Sequence, residues 1–230
     1  MNQSGPSLNQ IDNKPLREKV LDVLREAIIQ GDFKPGQALV ESDLATRLGV
    51  SRAPIREALQ VLSAEGLLDV IPYHGTSVRA LAKADIEELY SLRSVLEEFA
   101  LRRVIARDDP EIPRALRQLY EAMLDSAHEG NLKRVNEIDR RFHDTLIEMS
   151  GHRLLAVVWN SVSMRVRQVM GLLNERNTDL KQIAYNHVPL IEAIERGDEE
   201  QAVALLRHHI AASGDLIAEG WVNTGEQDPP

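Results

Sequence analysis

Residues 41–68 read ESDLATRLGVSRAPIREALQVLSAEGLL, and they contain two helical patterns separated by a glycine turn. The first pattern is closed by Gly49, a residue type that favours helix ends. Ser51 then suits the N-cap of a second helix, whose first turn tolerates Pro54 because amides there lack intrahelical partners. Gly66 ends this second helix. The stretch therefore predicts two short helices joined by a tight turn.

The segments on either side complete a larger unit. Upstream, apolar residues recur at helical spacing from Leu16 to Ile29. Downstream, Leu67–Ile71 and Thr76–Val78 are typical of two short strands around a turn at residues 72–75. Three helices followed by a two-stranded hairpin form a winged helix-turn-helix domain, which we place at residues 14–78.

The rest of the chain has a different periodicity. Residues 84–222 are almost entirely amphipathic at helical spacing, interrupted by short turn signals. They predict six helices of roughly 17–23 residues in an antiparallel arrangement. The expected fold class is therefore mainly α, an N-terminal winged helix-turn-helix followed by an all-α antiparallel six-helix bundle. Residues 79–83 are the expected linker, and residues 1–13 and 223–230 the expected flexible tails.

The composition limits the class of protein. Of 230 residues, 43% are hydrophobic and 27% are charged, as in proteins with a hydrophobic core. The absence of cysteine excludes disulfides, a thiolate nucleophile and Cys-ligated zinc. The longest apolar run, Leu154–Trp159, is far below the roughly 20 residues that a membrane-spanning helix needs. Because no signal-peptide pattern begins the sequence, we expect a cytoplasmic protein without a membrane partner.

The charge is unevenly distributed. The net charge of −9 argues against a nucleic-acid partner for the chain as a whole. However, residues 1–80 hold 9 basic and 10 acidic residues, whereas the remainder holds 18 and 26. Residues 45–56 contain Arg47, Arg52 and Arg56 and no acid. A basic stripe on this nearly neutral domain can bind DNA if the arginines share one face.

The second helix of the pair has an apolar face and a polar face. Arg52, Arg56 and Gln60 stand at i, i+4 and i+8, opposite the apolar residues. A helix of this kind suits the major groove, where the arginine fork distinguishes guanine by about 1–3 kcal/mol. The alternative is that these are ordinary solvated charges paired with Glu57 or Asp43.

Four blocks of this domain resemble the DNA-binding domain of GntR-type repressors. The blocks are LREKV at 16–20, ESDLA at 41–45, GVSRAPIREAL at 49–59 and EGL at 65–67. One departure is visible, because some relatives carry an arginine where this chain has Ser42. That DNA contact is then either missing or supplied by Arg47.

The resemblance implies DNA-contact roles for individual residues. Arg52 and Arg56 are expected to contact a double-stranded operator, and Ser51 is expected to lie near the DNA backbone. The wing tip, with His74 and Gly75, is expected to reach the minor groove.

Four residues of the C-terminal region form a candidate metal site. Asp139 and His143 are one helical turn apart and project from the same face. His187 and His209 each lie 11 residues from the turn at Asp198, which places them at about the same height on neighbouring helices. Three imidazoles and one carboxylate suit zinc, nickel, manganese or iron. The alternative is that an Asp/His pair at this spacing is a common surface combination.

Further blocks resemble the effector domain of the FadR-type branch of GntR regulators, and six helices resemble its shorter, VanR-like subgroup. The blocks are DRRFHDTL at 139–146, NH at 186–187, IEAIERGD at 191–198 and HHI at 208–210. The resemblance implies that Asp139, His143, His187 and His209 bind a divalent metal ion. Leu92-Arg93 and Leu96-Glu97 also match, which implies that Arg93 faces the cavity and pairs with an effector carboxylate.

The expected function is a ligand-responsive, DNA-binding transcription regulator of the repressor type, and not an enzyme. A small organic acid would bind beside the metal and alter operator affinity, and a homodimer would match a symmetric operator. One alternative is a metal-sensing repressor that responds to the ion itself. Another is a metal-dependent hydrolase that uses Glu97 or Glu148 as its general base.

Overall fold

The computed structural model describes residues 14–71, 75–174 and 179–220. These residues are mainly helical, and the expected order of a winged helix-turn-helix followed by an all-α domain is confirmed. The N-terminal part contains three helices and three short strands. Their bounds are α1 Leu16–Ile29, β1 Ala38–Leu39, α2 Glu41–Leu48, α3 Arg52–Ala64, β2 Leu68–Ile71 and β3 Gly75–Val78.

The turn between α2 and α3 follows the sequence signals. Gly49 adopts the left-handed conformation with φ 66°, which L side chains rarely adopt, and it reverses the chain after α2. Ser51 is extended and occupies the N-cap position of α3, as predicted, although its side chain makes no capping hydrogen bond. The helix pair is therefore fixed by backbone conformation and burial.

The sheet has one strand more than the sequence indicates. The strand order is β1-β3-β2, and both pairings are antiparallel. Ala38 pairs with Ser77 in the additional strand, which is only two residues long. A strand this short carries no periodicity of its own, because it exists only where β3 supplies its hydrogen-bond partners.

The core of the N-terminal part lies between α1 and α3. Leu24 and Ile28 of α1 are buried together with Ile55 and Leu62 of α3. Burying each such side chain contributes about 1.5–3 kcal/mol relative to leaving it exposed. The opposite face of α3 is left in solvent, where it can meet a partner.

The C-terminal region folds into seven helical segments within the described residues, rather than six. The expected fifth helix is divided just before His187 because Pro189 lacks the amide that would continue the backbone ladder. The bounds are α4 Lys83–Arg107, α5 Glu111–His128, α6 Leu132–Met149, α7 Arg153–Asn174, α8 Leu180–Tyr185, α9 Val188–Glu195 and α10 Glu199–Gly220.

Helix α7 joins the two parts of the molecule. A Cβ atom on Gly171 would lie 2.1 Å from the carbonyl oxygen of Ile29, so only glycine allows this close approach to the end of α1. The guanidinium of Arg165 packs over Gly66, and Met164 packs against the N-terminal core. A displacement of α7 would therefore change its contacts with the N-terminal domain directly.

Gln168 is a buried polar residue on the same helix. It is 1% exposed, and neither its amide nitrogen nor its amide oxygen has a hydrogen-bond partner in the described part of the chain. Met164, Gln168 and Gly171 recur at helical spacing, so Gln168 shares the face that packs against the N-terminal domain.

We expect the substitution Gln168→Met to stabilise the protein. An unsatisfied buried amide costs about 1–3 kcal/mol, and methionine has a similar shape without that cost. In a chain of this size each kcal/mol raises the melting temperature by about 2–4 °C. Thermal unfolding measures the change, and Gln118→Met at an exposed position is the matched control. A lower melting temperature for Gln168→Met would mean that the amide makes a needed hydrogen bond.

Candidate nucleic-acid interface and metal centre

Helix α3 presents its polar face to solvent, as the spacing predicts. Arg52, Arg56 and Gln60 are exposed, whereas Ile55 and Leu59 on the other face are buried. The helix is held by the domain core and leaves its basic residues accessible. This geometry allows side chains near its N-terminus to reach the edges of bases in a major groove.

Arg56 is paired with Glu41 of α2, and not with Glu57 or Asp43. Its Nε and Nη2 atoms donate to the two carboxylate oxygens at 3.0 and 2.9 Å. The hydrogen bond from Arg56 lowers the pKa of Glu41, and Glu41 in turn raises the pKa of Arg56. Glu41, which is half-buried, thus orients the arginine fork.

The other residues expected at DNA are exposed where the structure describes them. Ser51 is exposed at the start of α3, and the exposed Arg47 guanidinium lies 5.6 Å from the centre of the Phe33 ring. Gly75 is exposed at the start of β3. His74 lies outside the described residues.

The four residues of the candidate metal site come together between three helices. Asp139 and His143 project from α6, His187 stands at the N-cap of α9, and His209 comes from α10. One ligand atom from each residue lies within 4.8 Å of those of the other three. His208, the neighbour of His209, is exposed and takes no part.

Hydrogen bonds on the far side of two imidazoles orient them toward this centre. Nδ1 of His187 donates to the carbonyl oxygen of Ile183 at 2.9 Å. Nδ1 of His143 donates a hydrogen bond to Oε2 of Glu97 at 2.5 Å. In the neutral form both rings therefore direct the lone pair of Nε2 inward. Metal-binding histidines characteristically have such partners, which fix the tautomer and the ring orientation.

The distances and charges fit a divalent cation. Nε2 of His187 is buried 3.1 Å from Oδ1 of Asp139, yet its alignment gives no hydrogen bond. Nε2 of His209 lies 3.3 Å from Nε2 of His143. Neighbouring ligands about 2.1 Å from one ion are separated by about 3.0–3.4 Å. The arrangement can therefore bring nitrogen and oxygen donors to a single ion.

Burial and charge favour the ligand forms of two of these residues. Burial, reinforced by His187 and His143, lowers the pKa of His209 well below its usual value, so this ring is neutral. Burial alone would raise the pKa of Asp139, but the nearby His187 and His143 lower it, so this residue is a carboxylate. A neutral imidazole and an ionised carboxylate are the forms that bind metals.

Glu97 is a structural partner of the site that the sequence did not predict in this role. It is completely buried, and its other oxygen accepts from Nε of Arg93 at 2.6 Å. Burial alone would raise the pKa of Glu97, but His143 and Arg93 together lower it to about 2. The i, i+4 spacing of Arg93 and Glu97 was the available sequence signal.

Arg93 is buried beside the centre. It is 1% exposed, and besides Glu97 its guanidinium contacts the sulfur of Met170 at 3.9 Å and lies 5.4 Å from the centre of the Tyr90 ring. Its positive charge is therefore held in the interior by one carboxylate and one aromatic face.

The two carboxylates considered as a general base are poorly suited to that role. Both oxygens of Glu97 are engaged by cationic or N–H donors, and its low pKa makes it a weak base. Glu148 is exposed at the surface, where it pairs with Arg141.

No helix among the described residues is long and apolar enough to cross a membrane.

Comparison with known proteins assigns both parts of the chain. Residues 16–78 match the gntR family of bacterial regulatory proteins, and residues 88–212 match the FCD domain. A probable D-xylose utilization operon transcriptional repressor of Paenarthrobacter nicotinovorans is 32% identical over 194 residues, covering 84% of this chain and 85% of that protein. The gluconate operon transcriptional repressor of Bacillus subtilis (strain 168) is 29% identical over 210 residues, covering 87% of this chain and 84% of that protein.

Solved structures support the same assignment. A putative transcriptional regulator GntR from Rhodococcus sp. RHA1 superimposes with a TM-score of 0.76 at 25% identity, covering 90% of this chain and 99% of that one. E. coli McbR/YncC gives a TM-score of 0.77 at 23% identity, covering 89% and 98%, which supports the fold. The two curated relatives are described as transcriptional repressors, not as enzymes. The chain belongs to the GntR family of bacterial transcription regulators, with a DNA-binding domain followed by an FCD domain.

Proposed function

We propose that this regulator is a repressor whose operator affinity is set by a small carboxylate bound beside a divalent metal ion. The observation that carries the proposal is the convergence of one carboxylate and three imidazoles within 4.8 Å in the FCD domain. The curated relatives named above are described as repressors of operons for sugar or sugar-acid use. Small organic acids are thus a suitable effector class.

The proposed operator contacts lie on α3 and the wing. Arg52 and Arg56 read base edges, and Arg56 exchanges Glu41 for DNA as it does so. Ser51 lies at the phosphate backbone, and His74 and Gly75 contact the minor groove. Arg47 supplies the contact that Ser42 cannot make.

The proposed metal ligands are Asp139, His143, His187 and His209. When bound, the ion supplies open coordination positions for an anionic oxygen donor. Glu97 and the carbonyl of Ile183 keep the imidazoles in the ligating tautomer. Nitrogen and oxygen ligands of this kind suit zinc, nickel, manganese or iron.

Arg93 is the proposed partner of the effector carboxylate. Its fork has five N–H donors, and Glu97 takes the one on Nε. A carboxylate that binds next to the metal centre contacts the Arg93 guanidinium, which is already buried and is oriented by Glu97. Bidentate pairing of this kind is stronger than pairing with a neutral donor.

A route of direct contacts leads from the metal centre to the DNA-binding domain. Asp144 follows His143 on α6 and accepts hydrogen bonds from Trp159 at 2.7 Å and from Arg167 at 3.0 Å, both on α7. Helix α7 in turn packs against α1 through Gly171. An effector that favours one position of α6 therefore biases α7 and the winged domain, typically by about 1–3 kcal/mol.

We also propose a homodimer that uses an exposed apolar surface on α4 and α7. Helices α4 and α7 pack together, and both leave large apolar side chains in solvent. A second copy of the chain covers this surface in the proposal, because such apolar clusters are rare on monomers. The dimer surface consists of Leu92, Val95 and Phe99 on α4 and Leu154, Val157 and Val158 on α7.

We expect the substitution Val157→Asp to convert the dimer into a monomer. Val157 is 65% exposed, so a carboxylate there is harmless in the isolated chain but is desolvated in the dimer. Light scattering coupled to gel filtration measures the mass. Val23→Asp on α1 is the matched control, because Val23 is 51% exposed and lies outside the dimer surface. A Val157→Asp protein with the dimer mass would rule out this surface.

The function is tested on the operator itself. Operator DNA is first selected from random duplexes with the purified protein, and binding is then followed by fluorescence anisotropy. We expect a small carboxylate to weaken binding by about 5–150-fold when metal is present, and to have no effect after chelation. Binding that follows the metal concentration without any carboxylate would instead identify a metal-sensing repressor.

A further inference from the structure

A cleft lies between the two domains, beside the helix α6 that carries Asp139 and His143. It has a volume of about 170 Å³ and is bordered by the end of α1, by α6 and by α7. Arg140 and Arg167 both line it. Its lining residues include none of the four candidate metal ligands.

The two arginines are incompletely satisfied. The Nε atoms of Arg140 and Arg167 are buried and have no hydrogen-bond partner among the described residues. Both guanidinium groups approach one carboxylate, that of Asp144, at 3.9 Å and 3.0 Å respectively. Asp144 also accepts a hydrogen bond from the indole N–H of Trp159, so its two oxygens are shared among three side chains. Two cations therefore compete for one anion.

The two acidic residues in the described lining are already paired elsewhere. Glu26 in the lining pairs with Lys133 at 3.3 Å, and Glu137 pairs with Arg134 at 2.6 Å. Burial lowers the pKa of Arg167, and the nearby positive charge of Arg140 lowers it further. A buried cation in such surroundings is stabilised by an added anion.

We propose that this interdomain cleft binds a small phosphate-bearing anion between Arg140 and Arg167. Two guanidinium groups from two helices present donors from different directions, which suits a tetrahedral dianion. The volume admits inorganic phosphate or the phosphate group of a small metabolite. Because Ile29 at the end of α1 and the following Gln30 also line the cleft, the bound anion holds the DNA-binding domain against the FCD domain. The cleft contains none of the proposed metal ligands, although Arg167 pairs with Asp144, which follows the ligand His143 on α6.

The test is calorimetric titration of chelated, metal-free protein with inorganic phosphate at constant ionic strength. Metal-free protein is used so that phosphate cannot act as a ligand of a bound ion. We expect saturable binding of one phosphate per chain, and at least tenfold weaker binding by the Arg140→Met variant. Glycerol 3-phosphate distinguishes a metabolite from free phosphate, and succinate tests whether a dicarboxylate serves equally.

The matched control is Arg141→Met. Arg141 neighbours Arg140 on α6 and carries the same charge, but it is exposed and pairs with Glu148. Unsaturable binding by the wild type, equal weakening by both variants, or full binding by Arg140→Met would each overturn the proposal. If Arg140→Met does not fold, Arg140→Lys keeps the charge and loses the fork, and it should still bind more weakly. Hydrogen exchange of residues 26–30 should slow with phosphate in the wild type, and unchanged exchange would contradict the bridging role.

Discussion

Replacing His143 with alanine is expected to reduce the affinity for zinc or nickel by at least about 100-fold. The substitution removes one of four proposed ligands and leaves Glu97 without the imidazole it orients. Loss of a residue that only orients a ligand typically costs about 10–100-fold in metal affinity, so loss of a ligand should cost at least as much. Competition with a chromophoric chelator measures the affinity, and elemental analysis gives the metal content.

His208→Ala is the matched control for this experiment. His208 lies next to His209 on α10, but it is exposed and outside the cluster. Its removal should leave the metal affinity within about twofold of the wild type, as for a surface substitution away from any special contact. Equal affinity in the His143→Ala and His208→Ala proteins would contradict the proposed ligand set.

The double substitution of Arg52 and Arg56 by alanine is expected to weaken operator binding by at least about 100-fold. Each arginine that grips a guanine is worth about 1–3 kcal/mol, and both lie on the exposed face of α3. The loss should be much smaller on unrelated DNA, because base contacts carry the sequence preference. Anisotropy with operator and scrambled duplexes measures both affinities.

A second double variant controls for the change in charge. Arg114 and Arg134 are exposed on α5 and α6, where they pair with Glu111 and Glu137. Replacing both with alanine removes the same two charges from the FCD domain. If this variant loses as much operator affinity as the α3 variant, the effect comes from net charge and the assignment of α3 as the recognition helix is wrong.

Local sequence signals predicted the DNA-binding domain well. The apolar spacing of α1 and the glycine after α2 mark their ends, and the structure has α1 from Leu16 to Ile29 and α2 from Glu41 to Leu48. Strand β1 was not predicted, because Ala38 and Leu39 become a strand only by pairing with β3. The pairing of Arg56 with Glu41 was also missed, since these residues are 15 positions apart and lie on different helices.

The metal site could be predicted only in part. The i, i+4 spacing brings Asp139 and His143 together, and the position of the turn at Asp198 brings His187 and His209 to one height. The division of the fifth helix could have been predicted from Pro189. The burial of Glu97 could not, because it depends on how α4 packs against α6, which no local pattern specifies.

We propose that a carboxylate effector and the metal ion share one site. A thermal-shift screen of small carboxylic acids against metal-loaded and chelated protein tests it most directly. A ligand at 100 times its dissociation constant should add about 2.7 kcal/mol of stability, which is visible as a higher melting temperature. We predict at least one acid that stabilises the metal-loaded protein and loses its effect after chelation. An acid that stabilises both forms equally, or a metal shift with no response to any acid, would contradict the claim.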